Sequence, residues 1–289
     1  MILILADSLR YDFAEKYLKG IFPEETWGKF RAIETFTPAV LATVATGKTP
    51  EELHIPRDDR AFFSKINPDL IDDTIFDHFD TYVTISRLIG SEPKILPPVR
   101  RKEFPFMPPI KWNAVSNNDD DVLEYVGRKW SVVTDDWWDL IFYHSWLTHG
   151  PWGVDCYGPK EIPVMHHTDR WMRRMAQQGN KKILHDWYML GIEDFAARLR
   201  ALHNISNGLE TIIVFADHGE ALGEHGKVGH YAGERELEFL MDVPIWINRN
   251  EKIPGDISHV TLKDWVVKMY EKYEKNNPDY QKWKEKVKN

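Results

Sequence analysis

Residues Ile212-Ile-Val-Phe-Ala216 form an unbroken apolar run, rich in branched side chains, that stops abruptly at Asp217-His218. A second run, Ile2–Ala6, stops in the same way at Asp7. Short stretches that are apolar on both faces are the signature of strands covered on both sides, as in parallel sheets packed between helices. Functional groups in such folds gather just beyond the carboxyl ends of the strands, which is where these acids stand. Further strands are predicted at Tyr82–Ser86, Leu140–His144 and Val243–Ile247, each too short to make a good helix. Tyr188–Leu202 reads as an amphipathic helix with Ile192, Phe195, Leu199 and Leu202 on one stripe. The alternation predicts an α/β fold with a central, mostly parallel β-sheet sandwiched between helices.

The chain has 289 residues, enough to bury a core without covalent staples, and its single cysteine, Cys156, excludes an intramolecular disulfide. A formal net charge of −8 argues against a nucleic-acid-binding module, which carries a basic footprint. No apolar stretch is long enough to span a bilayer, and the opening apolar run lacks the length and basic flank of a signal peptide. These features predict no membrane segment and a cytoplasmic location. Ser91–Trp112 carries six prolines and reads as a long loop suited to substrate contacts. Leu262–Lys288 is a lysine-rich helical pattern broken at Pro278, read as a solvated surface helix. The expected organisation is a catalytic unit over residues 1–260 followed by a helical extension over 261–289.

Three segments carry chemistry. Asp7-Ser-Leu-Arg10-Tyr-Asp12 follows the first strand; Asp7 either serves a site or caps the next helix. Thr37-Pro-Ala-Val-Leu-Ala-Thr-Val-Ala-Thr-Gly47 reads as one short helix with Thr37 as N-cap, Pro38 at the first helical position and Gly47 just past the end. A hydroxyl there faces free N–H groups and the positive end of the dipole, which favours an alkoxide or a phosphate; a plain capping threonine looks the same. The third segment, Asp217 to His230, holds three histidines and three acids in fourteen residues interleaved with glycines. Its oxygen and imidazole donors suit Zn²⁺ or Mn²⁺, and turn composition does not account for them.

Taken in this order, the three segments resemble the sulfatase-type branch of the alkaline phosphatase superfamily. Asp7-Ser-Leu-Arg-Tyr-Asp resembles its opening strand and metal-binding acid, and Thr37 to Gly47 its nucleophile helix. Asp217-His-Gly-Glu-Ala-Leu-Gly-Glu-His-Gly resembles its late metal motif, and His149-Gly-Pro-Trp its substrate segment. The resemblance implies an alkaline-phosphatase-like fold, counts the nucleophile as Thr37, and differs from sulfatases in having Ala39 and Leu41 where they have Pro and Arg. A threonine there resembles the phosphoryl-transfer members: nucleotide pyrophosphatases, lipoteichoic-acid-type synthases and phosphoethanolamine transferases. The last group carries a site histidine thirteen residues after the metal Asp, as His230 follows Asp217.

From that resemblance the expected centre is one divalent metal ion held by Asp7, Thr37, Asp217 and His218, with Zn²⁺ or Mn²⁺ preferred and Ca²⁺ or Mg²⁺ as alternatives. A second metal near His149 and His230 stays open, with His144 and Asp155 as further ligand candidates. Thr37 is the expected nucleophile, passing through a phosphothreonine. His149 and His230 hold the transferring group, and one of them acts as general acid. Arg10 either orients Asp7 or contacts substrate, or else makes a salt bridge packed at the strand end. Glu220 and Glu224 fix the loop. The expected substrate is a small anionic ester, a phosphodiester before a monoester. Sulfate or phosphonate ester hydrolysis and an inactive anion-binding relative are the competing readings.

Overall fold

A computed structural model describes residues 1–55, 70–80, 82–85, 120–130, 138–150, 152, 164–230, 237–278, 281–282 and 285. The proline-rich segment Ser91–Trp112, Asp155 and Cys156 lie outside these residues. The two apolar runs are strands β1 (Ile2–Ala6) and β5 (Ile212–Ala216), with every residue buried. They join β2 (Thr26–Arg31), β3 (Tyr82–Ile85), β4 (Leu140–Ser145) and β8 (Asp242–Ile247) in one six-stranded sheet, in the order β2-β8-β5-β1-β4-β3. β1 pairs in parallel with β4 and β5, and β3 with β4; β8 runs antiparallel to β5 and β2. A short ribbon of β6 (Ala221–Leu222) and β7 (Val228–Gly229) folds the loop after β5 back on itself.

Helices cover the sheet: α1 (Tyr11–Tyr17), α2 (Thr37–Thr46), α3 (Asp120–Lys129), α4 (Val164–Gln177), α5 (Lys181–Ile205), α6 (Glu238–Met241) and α7 (His259–Tyr270). The expected sandwich of helices about a mostly parallel sheet is the observed architecture. α5 extends the expected helix at both ends, and its stripe of Ile192, Phe195, Leu199 and Leu202 is buried as the pattern requires. β2 was not foreseen. It is a half-exposed edge strand, and Thr-Trp-Gly-Lys-Phe-Arg lacks the apolar continuity that marks β1 and β5.

Two further differences concern helix ends. The first intrahelical bonds of α2 run from Ala39 and Val40 to the Phe36 carbonyl, so Phe36 is the cap and Thr37 is the first helical residue. The hydroxyl of Thr37 is turned away from the helix N–H groups toward β5. Gly47 ends the helix as expected, in the left-handed region at φ 71°, where a side chain would be strained. The lysine-rich C-terminal pattern is not solvated all round. α7 buries Leu262, Trp265, Val266 and Met269 against the core, and His259 Nε2–H donates to the Ala216 carbonyl at the end of β5 (2.9 Å). Among the described residues, no helix is long and apolar enough to cross a membrane.

Candidate metal centre

The register of the sheet builds the site. Ala6 lies opposite Ala216 on one side and Ser145 on the other, so parallel strands deliver Asp7 and Asp217 side by side at one edge. The Asp7 amide donates to the Ser145 carbonyl (3.0 Å), and the Thr148 hydroxyl to the Asp7 carbonyl (2.6 Å). Gly219, directly after His218, carries no side chain because α6 passes over it: a Cβ would stand 1.9 Å from the Phe239 oxygen. Its amide donates to the Leu240 carbonyl (2.8 Å).

Asp7, Asp217 and His218 are buried, and one donor atom from each lies within 4.8 Å of the others. His218 Nδ1–H donates to the Gly219 carbonyl (2.9 Å), which leaves Nε2 as a lone pair aimed into the cluster. Thr37 Oγ1–H donates to that Nε2 at 3.1 Å. Asp217 Oδ1 accepts from the Ser8 and His218 amides (2.9 Å each). Its Oδ2 is buried without a hydrogen-bond partner and lies 3.2 Å from His218 Nε2. A carboxylate oxygen and an imidazole lone pair facing each other, beside a second carboxylate, form a donor set that a divalent cation satisfies. The Asp7, Asp217 and His218 donors therefore fit such an ion, with the Thr37 hydroxyl beside them.

The electrostatics follow from this crowding. Burial alone would raise the Asp7 carboxyl, but His149, the His144 hydrogen bond and charge, and His218 hold it well below the usual carboxylate range. Burial and the neighbouring Asp7 push Asp217 up to about 7. Burial and His230 push His218 down to about 3, keeping its ring neutral. His144 Nε2–H donates to Asp7 Oδ2 at 2.9 Å, so this histidine orients an acid already in the cluster.

His149 and His230 stand beside the centre, their rings 5.2 Å apart, with His230 4.0 Å from the His218 ring. His149 Nδ1–H donates to the Gly150 carbonyl (2.6 Å). His230 Nδ1–H is shared between Glu220 Oε2 (3.2 Å) and Ser8 Oγ (3.3 Å), whose own proton goes to Asp7 Oδ1 (3.0 Å). Both rings thus keep Nε2 for other partners. Burial opposes protonation of His230, but the Glu220 hydrogen bond and charge outweigh it and hold its pKa up at about 9.

Arg10 is placed differently. Nε and one terminal nitrogen grip Asp12 (2.9 and 2.7 Å), while the other meets Glu224 (2.6 Å) and the Glu220 carbonyl (3.2 Å). All three guanidinium nitrogens are engaged within the chain and the residue is buried, so its geometry ties α1 to the loop after β5. Ser8 carries no distinguishing signal in the sequence, although its amide and hydroxyl reach Asp217, Asp7 and His230. It sits at φ 61°, and nothing local marks a serine for that conformation.

No family model matches the chain, and no curated protein matches its sequence. Solved structures do match in three dimensions. The C-terminal periplasmic domain of phosphoethanolamine transferase EptC from Campylobacter jejuni aligns with 14% identity and a TM-score of 0.61, covering 96% of this chain and 91% of that one. A 2-O GAG sulfatase aligns with 12% identity and a TM-score of 0.59, covering 94% and 70%. The C-terminal periplasmic domain of EptC from Escherichia coli, solved in complex with Zn, aligns with 11% identity and a TM-score of 0.51, covering 94% and 83%. Identities this low establish the fold, which is the alkaline-phosphatase-like one shared by phosphoethanolamine transferases and sulfatases. The expected cytoplasmic location gains no support from these neighbours, two of which are periplasmic domains.

Proposed function

We propose that this chain is a metal-dependent hydrolase of phosphoric esters, phosphodiesters foremost, that works through Thr37 as nucleophile. The observation that carries the reading is the meeting of the Thr37 hydroxyl with His218 Nε2 at 3.1 Å, beside the buried acids Asp7 and Asp217. Asp7, Thr37, Asp217 and His218 would hold the cation. When bound, it supplies positive charge that lowers the pKa of the Thr37 hydroxyl and offsets charge on the transferring group. The donor set of two carboxylates, a hydroxyl and an imidazole suits Zn²⁺ or Mn²⁺.

The remaining work belongs to the chain itself. With the cation bound, the Thr37 hydroxyl would release its proton to solvent and stay an alkoxide between turnovers; that oxygen forms a bond to phosphorus while the bond to the ester's leaving oxygen breaks. His230, charged at neutral pH through Glu220, gives its Nε2 proton to that oxygen. Water then attacks the phosphothreonine, a proton of that water returns to His230 Nε2, and the Thr37 oxygen leaves. His149, opposite His230, holds the non-bridging oxygens. Arg10 is assigned to loop anchoring in this scheme. The location proposed is outside the cytoplasm, on the analogy of the periplasmic neighbours, and fractionation of expressing cells tests it.

Rates on nitrophenyl phosphodiester, phosphomonoester, phosphonate and sulfate esters, measured with Zn²⁺ and with Mn²⁺, test the reaction. The diester is expected to react fastest, with a phosphothreonine at Thr37 trapped by acid quench and located by mass spectrometry. A sulfate ester turned over faster than every phosphoryl ester would replace the reading with that of a sulfatase-like enzyme. Metal uptake without turnover of any ester would leave the anion-binding alternative.

A further inference from the structure

The turn that carries the first acid is held in an uncommon conformation by a residue from far along the chain. Ser8 occupies the left-handed region at φ 61° although it is not glycine. Such a residue persists only where its surroundings over-determine it. Its carbonyl accepts from the Tyr188 hydroxyl at 2.9 Å. That hydroxyl in turn accepts from the Arg10 amide, also at 2.9 Å. One phenol thus closes both backbone groups that flank Leu9. Tyr188 is fully buried on α5, with its ring edge-on to Phe13 (4.8 Å) and Trp152 (5.3 Å), so the hydroxyl has a single place to be.

What the turn presents gives this contact its consequence. With Ser8 in this conformation its amide points at Asp217 Oδ1 and its hydroxyl at Asp7 Oδ1. Were Ser8 to relax toward negative φ, the amide and hydroxyl would swing together and each acid would lose one of its two orienting bonds, leaving Asp7 only His144 and Asp217 only the His218 amide. The same helix also braces the neighbouring turn: Gly191, one turn on from Tyr188, lets α5 approach so closely that a Cβ would stand 2.3 Å from the Leu147 oxygen. We propose that Tyr188 is a positioning residue for the metal centre, acting through Ser8 to aim Asp7 and Asp217. This rests on the reading of those acids as metal ligands. It adds a determinant 180 residues from Ser8 in sequence, on an element that supplies no ligand.

The test is the Zn²⁺ dissociation constant of the purified protein, by competition with a chromogenic chelator at a temperature well below unfolding. Wild type and Asp217→Asn decide the underlying reading: Zn²⁺ binding that Asp217→Asn abolishes supports it, and a wild type that binds no Zn²⁺ ends both that reading and this inference. Tyr188→Phe removes one oxygen and keeps the ring, and is expected to weaken Zn²⁺ binding about 10- to 100-fold, the range for groups that orient metal ligands. Phe195→Leu on the same helix is the control for plain destabilisation: it is expected to lower the melting temperature without moving the dissociation constant. Ser8→Gly removes the strain that Tyr188 restrains, so on that background Tyr188→Phe is expected to cost less than about threefold further. Wild-type affinity in Tyr188→Phe, an equal loss in Phe195→Leu, or full additivity of the Ser8 and Tyr188 effects would each overturn the proposal.

Discussion

The Thr37 hydroxyl lies 3.1 Å from Nε2 of His218, a residue 181 positions away in the chain. Because Phe36 holds the cap position, the Thr37 oxygen is not needed by the helix's own amides, and it is turned outward to the end of β5. The contact defines what the centre should do.

Replacing Thr37 by Ala should leave the fold intact, since the side chain caps nothing, and should lower kcat by about a thousandfold or more, as loss of a nucleophile does. Thr37→Ser keeps the oxygen and should retain measurable turnover and the acid-stable phosphoryl adduct. Circular dichroism melts alongside steady-state rates decide this; an active Thr37→Ala protein would remove Thr37 from the chemistry.

Metal should stabilise the folded chain. An ion that binds only the native state adds about 2.7 kcal/mol at a hundredfold excess over its dissociation constant. Scanning calorimetry with and without Zn²⁺ should show a melting temperature several degrees higher with the ion. Asp217→Asn should lose that increment, since the buried, unpartnered Oδ2 is the atom removed from the donor set.

Gly219→Ala should be among the most damaging single changes. The added methyl would meet the Phe239 backbone oxygen at 1.9 Å, and backbone does not step aside as a side-chain tip does. The expected loss is about 2 kcal/mol or more, together with loss of Zn²⁺ binding because α6 is pushed off the Asp217-His218 turn. A melt within a degree of wild type would show that α6 yields freely.

Acid should cost the chain stability through His259, and through His218, whose buried ring is held lower still. Burial holds the His259 imidazole down at about 4, against an ordinary value of 6.5, while its Nε2–H serves the Ala216 carbonyl. The unfolded chain therefore binds the proton first. Stability is fully present above pH 6.5 and falls as pH drops toward 4, by a total on the order of 3 kcal/mol. His259→Gln, which keeps a donor and an acceptor, should make that limb shallower in urea melts taken from pH 7 to 4, the part due to His218 remaining. A separate loss belongs lower, between about pH 4.5 and 2, where Glu210, held down to about 2 by Lys129 and the Met1 amine despite burial, takes up its proton.

Arg10→Gln should lower the melting temperature while KM moves less than about threefold, because the guanidinium is engaged by Asp12, Glu224 and the Glu220 carbonyl. A large rise in KM at unchanged stability would return Arg10 to the substrate.

The strands β1, β3, β4, β5 and β8, the helices α2 and α5 and the donor chemistry were legible in the chain, whereas β2 and the β6–β7 ribbon were not. Unbroken apolar runs ending on Asp7 and on Asp217-His218 specify buried strands with charged ends, and the Pro38 and Gly47 punctuation delimits α2, because hydrophobic period, fixed φ and positive φ are local properties. Tertiary structure alone decided the adjacency. β1 sits between β4 and β5 in a register that pairs Ala6 with both Ser145 and Ala216, and only that pairing brings the two acids together. The left-handed Ser8, the hydroxyl of Tyr188 above it, the full engagement of Arg10 and the buried face of α7 were likewise invisible beforehand. Each depends on contacts between residues tens to hundreds of positions apart, and a local pattern records which face of an element is apolar, not which partner will cover it.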